Sequence, residues 1–550
     1  MKSVQIPSKS EYYDSLPYES YSFPYSHPAR LSAVARLFSL ATPKNKKFRV
    51  LELGAASGGN LIPLAMYYPD VELVGIDYST VQVEQGQKLI QSLGLEDRVQ
   101  LLCQSITDID KDLGKFDYIV SHGVYSWVPT EVQDAIISTI QNHLKPKGVA
   151  YVSYNVYPGW KRLEIIRDMM LYHTRDMNEN KAQERMAQGR AIVDFIRNMS
   201  HEKSGIRQMI DAPWDSLRNK ADSYLGHEFL EPVNQPCYFL DFSEKLNAHK
   251  LAYLADAEPS LSFIQDMPED KVKELIAASR NNQVMLEQYL DFIYFRQFRK
   301  SLIVHQSATA SIQRKINAEV FDALQYSVNS CVEEQITPSN NSTETQDSTT
   351  SVNQSLGTPT LAPEGRRFIF NQSQPVTTHN DADYALLKSI SELAPRVFNK
   401  AAVLDLASKK SNDSQLGLRL NNLLNRLTLS GYIEIWDQLP TKAPTFDIEE
   451  QPFMPEVMRR YYQETGHLSN YRHGTSGLNI IQKEIIHLLD GEHNQKQLQA
   501  HLRQAYDAER IRLLDQDNQA LTKDKVDDSL ASHLRQALEL FKLNGLLYKK

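Results

Sequence analysis

Residues 49–60 read Arg-Val-Leu-Glu-Leu-Gly-Ala-Ala-Ser-Gly-Gly-Asn, and they restrict the fold of this chain more than any other segment. A buried strand runs into a tight turn of small residues, and a helix begins at Leu61. Gly54 permits a turn that a β-carbon would obstruct, while Ala55, Ala56 and Gly58 let a ligand approach the backbone closely. The next apolar run, Val-Glu-Leu-Val-Gly-Ile-Asp, ends at Asp77, 23 positions after Gly54. An acid there can accept both hydroxyls of a ribose. Further strand-like runs follow at 99–103, 116–121 and 149–155, separated by helical patterns near 58–67, 80–93 and 130–143. This alternation predicts a Rossmann-like α/β domain, a parallel sheet covered on both faces.

Two nucleoside cofactors fit such a loop. A dinucleotide site wants G-x-G-x-x-G with a helix N-terminus open to pyrophosphate. Here the loop is G-A-A-S-G-G and Glu52 precedes it. An acid is unwelcome beside pyrophosphate but suits a cationic amino end. The E-x-G-x-x-x-G pattern with Asp77 therefore resembles the class I S-adenosylmethionine-dependent methyltransferases. The resemblance implies a cofactor set of Glu52, Gly54, Ala55, Gly58, Asp77, Tyr78, Ser105, Ile106 and His122. Ser105 departs from the family, where an acid often bonds the adenine amino group. His122 ends the fourth strand, where it either lines the methionine end of the cofactor or serves as a general base. Lys-Pro-Lys-Gly at 145–148 is similar to the family's passage into its fifth strand. No metal is needed, because the sulfonium is already activated.

The acceptor side is expected at the carboxyl ends of strands four and five, where open α/β sheets bind ligands. Two aromatic loops lie there, His122 to Pro129 and Ser153 to Trp160. Tyr125, Trp127, Asn155 and Tyr157 are the candidates for holding the acceptor; the competing expectation is that Trp127 and Trp160 only cover the sheet edge.

The stretches around Tyr224 to Phe242, Leu251 to Ala257 and Gln288 to Arg299, with Ser26-His27-Pro28-Ala29-Arg30-Leu31 near the start, look like a methyltransferase regulatory domain behind a class I domain. The whole layout resembles the rickettsial-type outer-membrane-protein lysine methyltransferases. Expected divisions are a methyltransferase domain with a helical cap over 1–175 and a helical regulatory domain over 176–330 with few strand signals. A flexible linker at 337–364 follows, poor in apolar residues, then winged-helix-like units at 365–440 and 441–550. His227-Glu228 lacks a second histidine at metal-site spacing and reads as a polar structural pair.

Sixty basic against sixty-eight acidic residues leave a formal charge of −8, which argues against a nucleic-acid partner. Cys103, Cys237 and Cys331 form no CxxC pair, and no signal peptide or long apolar run is visible, so a soluble cytoplasmic protein is expected. The expected partner is a protein substrate, with a homodimer left open. Lysine N-methylation is the leading expectation; methylation of a small molecule, or a cofactor-binding sensor without turnover, are the alternatives.

Overall fold

The computed structural model describes residues 19–43, 47–178, 181–264, 267–334, 365–440, 442–513 and 523–550. They divide into two compact units, one of residues 1–316 with 438–550 and the other of residues 317–437. The linker expected at 337–364 lies outside the described residues.

The first unit is built on a seven-stranded sheet of order β3-β2-β1-β4-β5-β7-β6. The strands are β1 (Arg49–Leu53), β2 (Glu72–Asp77), β3 (Val99–Cys103), β4 (Phe116–Ser121), β5 (Leu144–Asn155), β6 (Leu251–Asp256) and β7 (Phe298–His305). The first five run parallel, while β7 pairs antiparallel with both β5 and β6. Helices α1 (Pro28–Leu37), α2 (Ile62–Tyr67), α3 (Thr80–Leu93) and α4 (Thr130–His143) belong to this part. Leu51, Leu53, Ile76, Ile119 and Val152 form a buried core with Ile136, Ile137 and Ile140 of α4. That two-faced burial explains why the parallel strands read as nearly continuous apolar runs.

The 176–330 region is mostly helical, as expected, and it also contributes the strands β6 and β7, which the sequence did not signal. Leu251–Asp256 is buried at every position, and a short apolar run of that kind cannot be told from a buried helix by periodicity. Its pairing partner lies far along the chain, so no local pattern marks it. This stretch thus completes the sheet through the pairing of β7 with β5, and its own elements are tied together by buried charge. Fully buried Arg299 on β7 donates Nε and Nη2 to the two oxygens of Asp291, each at 2.8 Å, and Nη1 to Glu287 Oε2 at 2.9 Å. The Tyr253 hydroxyl on β6 donates to the same Glu287 oxygen at 2.6 Å, and the guanidinium stacks 3.7 Å over the Phe239 ring. Because β7 pairs with β5, this network sets the lateral position of the strand end that carries Asn155.

Between α4 and β6 a helical layer (Lys161–Thr174, Ala182–Met199, Gly205–Leu217, Asp222–Phe229) has its own core around Trp160, Met170, Met186, Trp214 and Phe229. Residues 438–550 add a third core, in which Met454, Met458, Leu468, Ile485, Leu498, Leu534 and Phe541 are buried. The Tyr67 hydroxyl at the end of α2 donates to the Ser469 carbonyl at 2.6 Å, tying this part to the sheet.

In the second unit, Cys331–Glu334, Arg366–Phe370 and Pro375–Thr378 form one antiparallel sheet, and Gln325–Ser327 pairs with both Phe398–Asn399 and Glu434–Trp436. The unit therefore begins well before residue 365. Its last helix, Leu416–Leu429, and the chain's final helix, Lys523–Leu543, are each followed by a left-handed glycine, Gly431 (φ 71°) and Gly545 (φ 66°). Only that conformation turns each chain back at the helix end without a β-carbon penalty.

Arg299→Met should strand Glu287 and Asp291 as buried carboxylates and destabilise the first unit by about 3–5 kcal/mol. Lys273→Met, which breaks an exposed pair with Glu269, should cost under about 1 kcal/mol. Thermal unfolding of the two variants checks the contrast.

Candidate functional site

The sheet order places the carboxyl ends of β2, β1, β4 and β5 along one edge, and the sequence-predicted residues gather there. Gly54 has φ 77°, and a β-carbon on it would lie 2.3 Å from Val124 Cγ2. The Gly54 and Ala55 amides donate to the Ile76 carbonyl, folding the loop against β2. Asp77 accepts from the Ala56 amide at 2.7 Å and from the Ser79 amide at 2.9 Å. It therefore shapes the glycine loop and opens α3 as well as facing the ligand space. Ala56 itself adopts φ 49°, a strain that this hydrogen bond helps to hold. Tyr78 follows, about half exposed. Asp77 pairs in register with Cys103, which brings Ser105 and Ile106 to the same edge. Ser105 Oγ bonds Thr107 Oγ1 at 2.7 Å and caps the turn Ile106–Asp108, while Ile106 packs partly against the sheet core.

Glu52 is the electrostatic centre of the edge. It is 3% exposed, and burial pushes its carboxyl up to about 8 against the favourable bond from Asn60 Nδ2 to Oε1 at 2.9 Å. Its Oε2 has no hydrogen-bond partner among the described residues. A cation placed against that oxygen would relieve the burial cost of the charge.

His122 is half-buried at the end of β4, with Phe23 against its ring (centroids 3.8 Å) and Nδ1 bonded to the Tyr151 hydroxyl at 2.8 Å. Burial, with Lys300 nearby, lowers its pKa to about 3, so it is neutral. The acceptor candidates divide. Asn155 is buried at the end of β5, takes Ser126 Oγ on its backbone amide at 2.9 Å, and keeps an Nδ2 without a partner among the described residues. The Tyr157 hydroxyl donates to Glu164 at 2.6 Å, and its ring lies 5.4 Å from Tyr238. Trp127 is half-buried and meets Trp160 edge-on at 6.1 Å, and Trp160 belongs to the helical core. Tyr125 does not line open space: it is 2% exposed and packs edge-on against Phe242 and Tyr154. His227 bonds Glu231 at 3.0 Å, one helical turn along.

Sequence reasoning assigned no role to Asn60, Phe23, Tyr151 or Lys300. Only Asn60 carried a local signal, a polar residue directly after the glycine pair. The others reach the edge through chain segments remote from the loop.

A glycine loop shaped by an acid on the second strand, with a desolvated acid before it, defines a nucleoside-cofactor transferase of the class I methyltransferase type. Comparison with known proteins agrees. Residues 50–148 match the family description "Methyltransferase domain", 221–305 "Predicted methyltransferase regulatory domain", and 450–546 "PKMT, C-terminal winged helix domain". The chain is 32% identical over 543 residues to the uncharacterized protein RP789 of Rickettsia prowazekii, covering 97% of this chain and 93% of that one. The structure of PKMT2 from Rickettsia typhi in complex with AdoHcy superposes with a TM-score of 0.81 at 30% identity, over 96% of this chain and 100% of that one. The chain belongs to this family, and it is an S-adenosylmethionine-dependent methyltransferase. Among the described residues, no helix is long and apolar enough to cross a membrane.

Burial pushes the Glu52 carboxyl up to about 8, so with no cation against it the group is largely protonated at pH 7. A ligand ammonium that needs the carboxylate displaces that proton. Affinity for S-adenosylhomocysteine should therefore rise between about pH 6 and 8, by up to ~10-fold per unit, and level off above. Glu52→Gln should flatten the profile. Calorimetric titration in buffers of different ionisation enthalpy reads both the affinity and the released proton.

Proposed function

We propose that this enzyme transfers the methyl group of S-adenosylmethionine to the side-chain nitrogen of lysine residues in a protein. The observation that carries the reading is likeness over the full chain to PKMT2, C-terminal domain included. A methyltransferase for small molecules needs no such domain.

Glu52, Gly54 and Asp77 hold the cofactor, with Ala55, Gly58, Tyr78, Ser105 and Ile106 framing it. The bound cofactor supplies an electrophilic methyl on a cationic sulfur. The protein's task is to present an uncharged amine in line with that methyl and to exclude water. A protonated imidazole at the end of β4 would repel the sulfonium and oppose the positive charge that develops on the attacking amine. Burial and Lys300 keep His122 neutral, which leaves it a hydrogen-bonding group without charge. Asn155 Nδ2 offers an unspent donor at the neighbouring strand end, and Tyr157 and Trp127 bring aromatic faces to the acceptor side.

Radiolabelled S-adenosylmethionine incubated with an extract should label discrete protein bands whose acid hydrolysate contains methylated lysine. Asp77→Ala should lower the label at least ~10-fold, since it removes the cofactor acid and two loop hydrogen bonds together. Label confined to small molecules would replace the acceptor. No label, with cofactor binding intact, would favour a sensor.

A further inference from the structure

The segment 19–27 runs past the cofactor edge with its two sides engaged by different parts of the chain. On one side, Ser20 Oγ accepts from the Gly59 amide at 2.8 Å. Asn60 Oδ1 accepts from the Phe23 amide at 3.0 Å and from Ser26 Oγ at 3.1 Å. The Phe23 ring then covers His122. On the other side, Ser22 Oγ lies 2.6 Å from Ser469 Oγ and donates to the His473 carbonyl at 3.1 Å. The Tyr21 and His467 rings meet at 4.7 Å, as do those of His27 and His473.

The C-terminal anchor is built in advance. Asn470 Oδ1 accepts from the amides of Arg472 and Gly474, each at 2.9 Å. This closes a tight turn in which His473 adopts φ 61° and turns its carbonyl to Ser22. Asn60, 4% exposed, has its amide orientation decided by the strap. The Phe23 amide can only donate, so Oδ1 has to face the strap and Nδ2 has to face Glu52; reversing the amide would set Nδ2 against the Phe23 N–H. A side chain so committed transmits any displacement of the strap to the carboxylate that faces the cofactor.

We propose that Asn60 is a positioning residue joining the cofactor carboxylate to the 19–27 strap, and that the C-terminal domain tunes cofactor affinity by anchoring the strap's far side. This rests on the reading that Glu52 meets the cofactor's amino end. It gives the C-terminal domain a part in the catalytic cycle independent of which protein is methylated.

The test measures binding of S-adenosylhomocysteine to the full-length enzyme by calorimetry. Ser469→Ala and Ser22→Ala, both outside the cofactor loop, should each weaken binding about 3- to 10-fold, the scale of one hydrogen bond. Added to Asn60→Ala, Ser469→Ala should have little further effect, because both act through one connection. Hydrogen exchange of the parent enzyme gives a readout that depends on no variant: the amides of Phe23 and Gly59 should gain protection when the ligand saturates. Affinities within twofold of the parent for both serine variants, fully additive losses with Asn60→Ala, or unchanged protection at Phe23 and Gly59 would each overturn the proposal. A parent enzyme that fails to bind the ligand would instead overturn the cofactor reading itself.

Discussion

A carboxyl buried at the carboxyl end of a central strand imposes a cost that neighbouring groups have to offset, and much of this site is arranged around Glu52. Its desolvation raises the protonated form. Asn60 supplies one hydrogen bond, and the second oxygen has no partner among the described residues. In the function proposed above that oxygen meets the cofactor's positive amino end, a placement that would be unfavourable beside pyrophosphate. The same burial explains the position of the strap. The amide that serves Glu52 has to be oriented, and its oxygen accepts from the Phe23 amide of the strap.

A second constraint acts laterally. The strand end that carries Asn155 pairs with β7, Asn155 opposite Phe298, while pairing with β4 ends at Val152. Strand β7 belongs to the stretch matched as a regulatory domain. In Arg299, Glu287 and Asp291 that stretch brings its own buried charges, nearly saturated with hydrogen bonds. Such a network tolerates little sliding, because any shift exposes an unpaired charge to a low-dielectric interior. The stretches matched as methyltransferase and regulatory domains thus share one sheet, and the end of β5 takes its geometry from both.

The cofactor side was legible because its requirements are local. The positive φ of Gly54 and Gly58 and the acid at the end of β2 are demands of backbone geometry within about 30 residues. The acceptor side was legible only in part. Trp127 and Tyr157 stand at the strand ends as their loop positions suggest, whereas Tyr125 turns into the core on Phe242 and Tyr154. Residue type and spacing in an aromatic loop do not say which ring faces inward, because the packing partner, Phe242, comes from a helix more than a hundred residues later.

From the sequence alone come the glycine turn, the Glu52 and Asp77 pair and the parallel strands, since each is dictated by a short stretch of backbone and its periodicity. Tertiary structure alone decided that Leu251–Asp256 and Phe298–His305 complete the sheet, that His122 is kept neutral by burial and Lys300, and that Asn60 links Glu52 to a strap anchored by Ser469 and His473. Those outcomes depend on contacts between residues tens to hundreds of positions apart. Their energies arise from burial and pairing that no local pattern encodes.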